Sequence, residues 1–179
     1  MNLPNALTLL RIFLVPAFIY EVMEDHYDMA LWFFLVAAIT DGLDGFIATR
    51  FNQRTEVGAY LDPLADKLLL TAGYLTLTYK GHMDYWLTML VVGRDMLIVG
   101  GAILYQMLTN ALRMEPLMVS KVNTVMQIVL LVMVLFHLTH DWPLSTLVET
   151  TIVLVVLTTV VSGVSYAMVW TTRATHGRK

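Results

Sequence analysis

The sequence contains no cysteine, which excludes disulfides and leaves the redox compartment unread. Charge is scarce as well: 14% of the 179 residues are Asp, Glu, Lys or Arg, against 58% hydrophobic. An average soluble domain carries about 25% charged residues, so this balance argues against a large soluble core and for an integral membrane protein. The formal net charge of -3 is too small to point to a nucleic-acid partner, and none is expected. Internal repeats, low-complexity tracts and linkers long enough for a separate soluble domain are all missing, so residues 1–179 read as one transmembrane domain. The segment Met1 to Tyr20 lacks a basic n-region and a small-residue cleavage site, which makes it a retained helix.

What is present is a series of six apolar stretches, each close to the roughly 20 residues that a bilayer helix needs. They run from about 6 to 23, 29 to 51, 57 to 79, 85 to 108, 118 to 138 and 147 to 171, with short polar linkers between them. The fold class expected is therefore all-α, a polytopic protein with six transmembrane helices. Lys and Arg set its orientation. With the N-terminus in the cytoplasm, Arg50, Arg54, Arg113, Lys121 and the tail with Arg173, Arg178 and Lys179 all fall inside. The other side then holds Glu21, Glu24, Asp25, Asp28, Asp84, Asp141 and Glu149, with Lys80 its one cation. Both termini are placed in the cytoplasm, and so is the linker between the second and third helices.

That linker joins the most unusual stretch of the chain. Asp41, Asp44, Asp62 and Asp66 lie within apolar sequence, and a carboxylate at membrane depth usually has a partner and a function. Asp41 and Asp44 are spaced i,i+3 and Asp62 and Asp66 i,i+4, so each pair shares one helix face. Two such pairs would offer a nest of hard oxygen ligands for Mg²⁺ or Mn²⁺. Cations held there could neutralise a pyrophosphate and polarise its phosphorus, and one carboxylate could act as general base on an attacking hydroxyl. The bland reading pairs the aspartates with Arg50, Arg54 and Lys67, but four acids outnumber those three bases. An ion or proton pathway uses intramembrane acids too, and a non-catalytic scaffold is the third alternative.

Smaller features bear on local structure. Ser120 is placed to cap the fifth helix, and Pro63, just inside the third, predicts a kink or an opened turn. Arg11, one turn inside the first helix, could snorkel to the interface or touch a nucleotide or phosphate. Arg94 lies mid-helix beside Asp95, either as half of a compensating buried pair or as an anchor for an acceptor phosphate. The five histidines are scattered and form no metal cluster, and the methionines and tryptophans are packing and interface residues.

The stretch from Asp41 to Asp66 is similar to the signature of the CDP-alcohol phosphatidyltransferase family, Asp-x2-Asp-Gly-x2-Ala-Arg-x8-Gly-x3-Asp-x3-Asp. Asp41, Asp44, Gly45, Ala48, Gly58, Asp62 and Asp66 match at every spacing, seven positions over 26 residues. Thr49 stands where the family has arginine, with Arg50 next to it. The resemblance extends to Asn5, Thr8 and Arg11, to Leu61 through Lys67, to Arg94-Asp95 and to Ser120-Lys121-Val122-Asn123-Thr124, which resemble segments of phosphatidylglycerophosphate and cardiolipin synthases.

The resemblance implies a six-helix phospholipid-biosynthesis enzyme, often a homodimer, in a bacterial inner (cytoplasmic) membrane with its active site facing the cytoplasm. It would transfer the phosphatidyl group of CDP-diacylglycerol to a glycerol-type alcohol and release CMP. The acceptor expected first is glycerol 3-phosphate, giving phosphatidylglycerol phosphate; the alternative is phosphatidylglycerol, giving cardiolipin. Asp41, Asp44, Asp62 and Asp66 would bind two divalent metals, Mg²⁺ or Mn²⁺, and Asp66 would also be the catalytic base. Asn5, Thr8, Gly45, Ala48, Arg50 and Gly58 would meet the nucleotide, and Arg94 and Lys121 the acceptor.

Overall fold

A computed structural model describes the backbone of residues 3–50, 56–109, 117–140 and 145–176, and the side chains of 9–40, 67–101, 117–140 and 146–169. Among the described residues the chain is helical throughout, with no strand: α1 (Leu3–Met23), α2 (Tyr27–Arg50), α3 (Glu56–Tyr79), α4 (Tyr85–Thr109), α5 (Met118–His140) and α6 (Ser145–His176). The expected apolar stretches and the observed helices coincide to within a turn or so. The largest difference is α6, which continues to His176, past the end of its apolar run. α3 runs unbroken through position 63, so the opened turn expected at Pro63 does not interrupt it.

Among the described residues two helices, Met118–His140 and Thr146–Val169, are long and apolar enough to cross a membrane, yet only 33% and 22% of their apolar windows are buried within the protein. A soluble fold hides such a helix. Here Val125, Leu147, Val153, Leu154, Leu157, Val160 and Met168 face outward, as lipid-facing side chains do. Several hydroxyls on these helices fold back on their own backbone: Thr139 donates to the Leu135 carbonyl, Thr151 to Leu147, and Ser165 to Val161, at 2.7 to 2.8 Å. This local bonding lets a polar side chain sit where water cannot reach it.

The helices group into two compact units, residues 1–84 with 131–145, and residues 85–130 with 146–179. In the first unit α1 packs along both α2 and α3. Its core is apolar: Phe18, Val22, Phe34, Leu70, Leu77 and Leu135 are fully or almost fully buried, and the rings of Phe18 and Phe34 lie 5.8 Å apart at 50°. Gly73 lets α3 approach α5, since a Cβ there would stand 2.9 Å from Leu131 Cδ1.

α1 and α3 end in the same way. His26 N–H donates to the Glu21 carbonyl and Asp25 N–H to Val22; His82 N–H donates to Leu77 and Gly81 N–H to Thr78. Each is a Schellman turn, in which a left-handed residue reverses the chain and satisfies the last helical carbonyls. Gly81 fills that position at φ 79° as expected, whereas the first turn uses Asp25 at φ 64°, a conformation that short polar side chains tolerate.

The second unit, α4 with the first half of α5 and α6, has a different interior. Leu87, Val91, Leu130 and Val155 are buried, but so are Thr88, Arg94, Asp95, Asn123, Gln127, Thr151, Thr159 and Ser162. Polar groups inside an otherwise apolar bundle gather on the face turned away from lipid.

Candidate functional site

The four aspartates and their neighbours are placed by their backbone. Asp41, Asp44, Gly45, Ala48 and Arg50 fall in α2, Gly58, Asp62 and Asp66 in α3, and Asn5 and Thr8 in α1; all of these side chains lie outside the described residues. Each aspartate pair belongs to one continuous helix, so its i,i+3 or i,i+4 spacing puts both members on a common face. Carboxylates are hard oxygen donors of the kind that Mg²⁺ and Mn²⁺ take, and how these four sit relative to one another lies outside the described residues.

Arg11, by contrast, is fully buried. Of the two readings open for it, snorkelling does not fit a side chain enclosed in the first unit, where α1 is packed against α2 and α3.

Arg94, Asp95 and the segment Ser120 to Thr124 are described in full. Arg94 and Asp95 have side chains 4% and 7% exposed, and Arg94 Nη1 donates to Asp95 Oδ1 at 2.5 Å. Arg94 Nη2 donates to Ser120 Oγ on α5 at 2.7 Å and to Ser162 Oγ on α6. One guanidinium thus ties three helices together. Gly163 leaves room for the arm, since a Cβ at that position would meet Arg94 Cγ at 3.9 Å. Asp95 compensates the buried charge, which alone in a medium of low dielectric would be strongly destabilising. Arg94 Nε has no hydrogen-bond partner among the described residues.

Ser120 is not the cap of α5, as the sequence suggested. The helix begins at Met118 and Ser120 lies in its first turn, with its hydroxyl turned to Arg94. The first turn is served from α6: Leu117 N–H donates to Tyr166 Oη at 3.3 Å, satisfying one of the amides that a helix start leaves open. Lys121, next to Ser120, is exposed.

One turn further along α5, Asn123 is fully buried. Its Oδ1 accepts from Thr158 Oγ1 at 2.8 Å and Thr159 Oγ1 at 2.9 Å on α6. The hydroxyls of Thr158, Thr159 and Ser162 carried no signal in the sequence, because a threonine facing lipid and one facing the interior look alike there.

A second polar cluster joins the two Schellman turns of the first unit. Lys80 Nζ lies 2.6 Å from Asp25 Oδ1 and donates to the Met23 carbonyl at 3.2 Å. Tyr27 donates to Asp25 and meets His82 Nε2 at 2.8 Å. The hydrogen bonds from Lys80 and Tyr27 hold the Asp25 carboxyl below its ordinary pKa. Burial, then Asp25, pushes the Tyr27 phenol up to about 12, and burial lowers the His82 imidazole. The signal available for this cluster was Lys80, the one cation among the acids of that side.

With an all-helical fold, apolar outward-facing helices and a carboxylate-bearing helix pair, the molecule belongs with helical proteins that work in lipid. The CDP-alcohol phosphatidyltransferase family model matches residues 1–174, and the chain belongs to that family. The chain is similar to human cardiolipin synthase (CMP-forming), 36% identical over 145 residues, covering 72% of this chain and 48% of the relative. It is 42% identical over 107 residues to the CDP-diacylglycerol–glycerol-3-phosphate 3-phosphatidyltransferase of Aquifex aeolicus, covering 58% of this chain and 60% of that protein. The protein of the same name from Blochmanniella floridana is 32% identical over 147 residues, covering 79% of this chain and 76% of the relative. The chain spans about half the length of the human relative it matches.

Proposed function

We propose that this chain is a single-domain phosphatidyltransferase of phospholipid biosynthesis, using CDP-diacylglycerol as donor and a glycerol-type alcohol as acceptor, and releasing CMP. The observation that carries the reading is the family match across residues 1–174, together with two aspartate pairs that each lie on one continuous helix. The acceptor we favour is glycerol 3-phosphate, named in the Aquifex and Blochmanniella relatives; phosphatidylglycerol is the second reading, favoured by the cardiolipin synthase relatives.

Asp41, Asp44, Asp62 and Asp66 hold Mg²⁺ or Mn²⁺. Bound cations there would neutralise the pyrophosphate and polarise the phosphorus under attack. Asp66 removes the proton from the acceptor hydroxyl. The freed oxygen forms a bond to the phosphorus that carries diacylglycerol, the bond from that phosphorus to the bridging oxygen breaks, and CMP leaves with the electron pair. Gly45 and Gly58, which have no side chain, and Ala48, which has a methyl, give the nucleotide room, with Asn5, Thr8 and Arg50 beside it, and the burial of Arg11 supports a phosphate contact over interface snorkelling. Arg94 and Lys121 meet the acceptor: Arg94 retains an unpartnered Nε–H, and Lys121 is exposed.

The charge asymmetry of the linkers supports six spans with both termini, and the opening of the active site, on the cytoplasmic side; the bacterial inner membrane and assembly as a homodimer follow the family resemblance. Purified protein should release CMP from CDP-diacylglycerol and a glycerol-type alcohol only with Mg²⁺ or Mn²⁺ present, and Asp66→Asn should abolish release. A panel of glycerol 3-phosphate, phosphatidylglycerol, inositol phosphate and serine names the acceptor. Turnover with serine or inositol phosphate alone would refute the acceptor class, and metal-independent release would refute the mechanism.

A further inference from the structure

The second unit holds a buried amide that its own fold has oriented but not completed. Asn123 is fully buried on α5. Thr159 donates to its Oδ1 at 2.9 Å, and the Thr158 hydroxyl lies 2.8 Å from the same oxygen, sharing its proton with the Leu154 carbonyl. The Thr159 hydroxyl has this oxygen as its acceptor among the described residues, and that bond marks this end of the amide as oxygen. The other end, Nδ2, carries two N–H groups and has no hydrogen-bond partner among the described residues. An unmade buried hydrogen bond is destabilising, and the free-energy gain of leaving a leucine there is forgone. A side chain held in place by two threonines and still open at its donor end is poised for an incoming oxygen.

Its neighbours indicate which oxygen. Asn123 lies three residues after Ser120 and Thr159 three before Ser162, so the Asn123–Thr158–Thr159 layer sits one helical turn from the Arg94–Ser120–Ser162 layer. In that second layer Arg94 Nε–H is also unpartnered. Both open groups are donors, which suits a ligand rich in oxygen acceptors and disfavours an ammonium.

Resting on the acceptor reading above, we propose that Asn123 Nδ2 donates a hydrogen bond to an oxygen of the acceptor's glycerophosphate unit, with Thr158 and Thr159 as its positioning residues. Glycerol 3-phosphate and phosphatidylglycerol share that unit, and the test runs both.

The test is steady-state kinetics of detergent-solubilised protein with each acceptor in turn, alongside thermal unfolding. Asn123→Leu keeps the branched shape and removes the amide, and thermal unfolding checks that the variant is folded. The folded variant should raise the acceptor KM about 10- to 100-fold, the range for one hydrogen bond to a charged group. The KM for CDP-diacylglycerol should stay unchanged. Thr159→Val should raise the acceptor KM in the same direction, and Thr159→Ser, which keeps the hydroxyl, should restore it. The acceptor whose KM moves is the source of the oxygen. An unchanged acceptor KM in a folded Asn123→Leu protein overturns the proposal, as does Thr159→Ser behaving like Thr159→Val. Wild-type protein that releases no CMP with either acceptor overturns the underlying reading and the proposal with it, so the two failures are told apart by the wild type alone.

Discussion

Removing one charge of the Arg94–Asp95 pair while keeping the other tests how the second unit is held together. The two side chains are 4% and 7% exposed and 2.5 Å apart, so neither can turn to water when its partner goes. Loss of one member of a buried pair costs about 3–5 kcal/mol. For a chain of this length about 2–4 °C of melting temperature accompanies each kcal/mol, so Arg94→Met or Asp95→Leu should each melt roughly 6–20 °C below wild type. The double variant removes both charges together and should recover most of that loss, because replacing a buried ion pair by apolar side chains is often near neutral. Thermal unfolding in one detergent, followed by helical circular dichroism for all four proteins, gives the coupling energy directly. Additive losses, or a drop of less than about 2 °C in either single variant, would mean that the pair is hydrated and weakly coupled, and the reasoning would fail. The double variant should fold yet use acceptor poorly, since the guanidinium is gone.

Three further outcomes follow from the first unit. The folded protein holds the His82 imidazole below its ordinary pKa, so the unfolded chain takes up its proton first, near pH 6.5. Stability should therefore fall as pH drops below about 6.5 and stop falling from this source once the folded imidazole is protonated; His82→Gln should flatten that part of a melting-temperature profile. Asp25, held low by Lys80 and Tyr27, contributes above its unfolded pKa near 3.8, and that contribution is lost as pH falls through the still lower folded value. Gly73→Ala would put a Cβ 2.9 Å from Leu131 Cδ1 and 3.3 Å from Cδ2. The gain of about 1 kcal/mol in helix propensity should be outweighed by about 1–3 kcal/mol of overpacking, because the buried Leu131 cannot swing away. A lower melting temperature that Leu131→Val partly restores would bear this out, and a stabilised Gly73→Ala would contradict it.

The helices were legible in the sequence because apolar run and polar linker alternate cleanly, and the family was legible because seven residues keep fixed spacing. The interior of the second unit was not. Ser120 carried a cap signal, yet its hydroxyl is recruited by an arginine 26 positions away. Thr158, Thr159 and Ser162 sit in a run of Val and Leu that reads as lipid-facing, and only the packing of α6 on α5 shows which hydroxyls turn inward. Arg11 looked able to reach water because it is close to a helix end in sequence, but the packing of α1 encloses it. The Tyr27–His82 contact joins residues 55 positions apart, a separation at which linker composition gives no pairing.

The lysine at the end of α3 clasps the final carbonyl of α1, and the tyrosine that opens α2 leans on the imidazole beyond α3. Three helices are thereby stapled at one end. A change at any one of these side chains is therefore felt by all three helices, although the residues come from two separate turns of the chain.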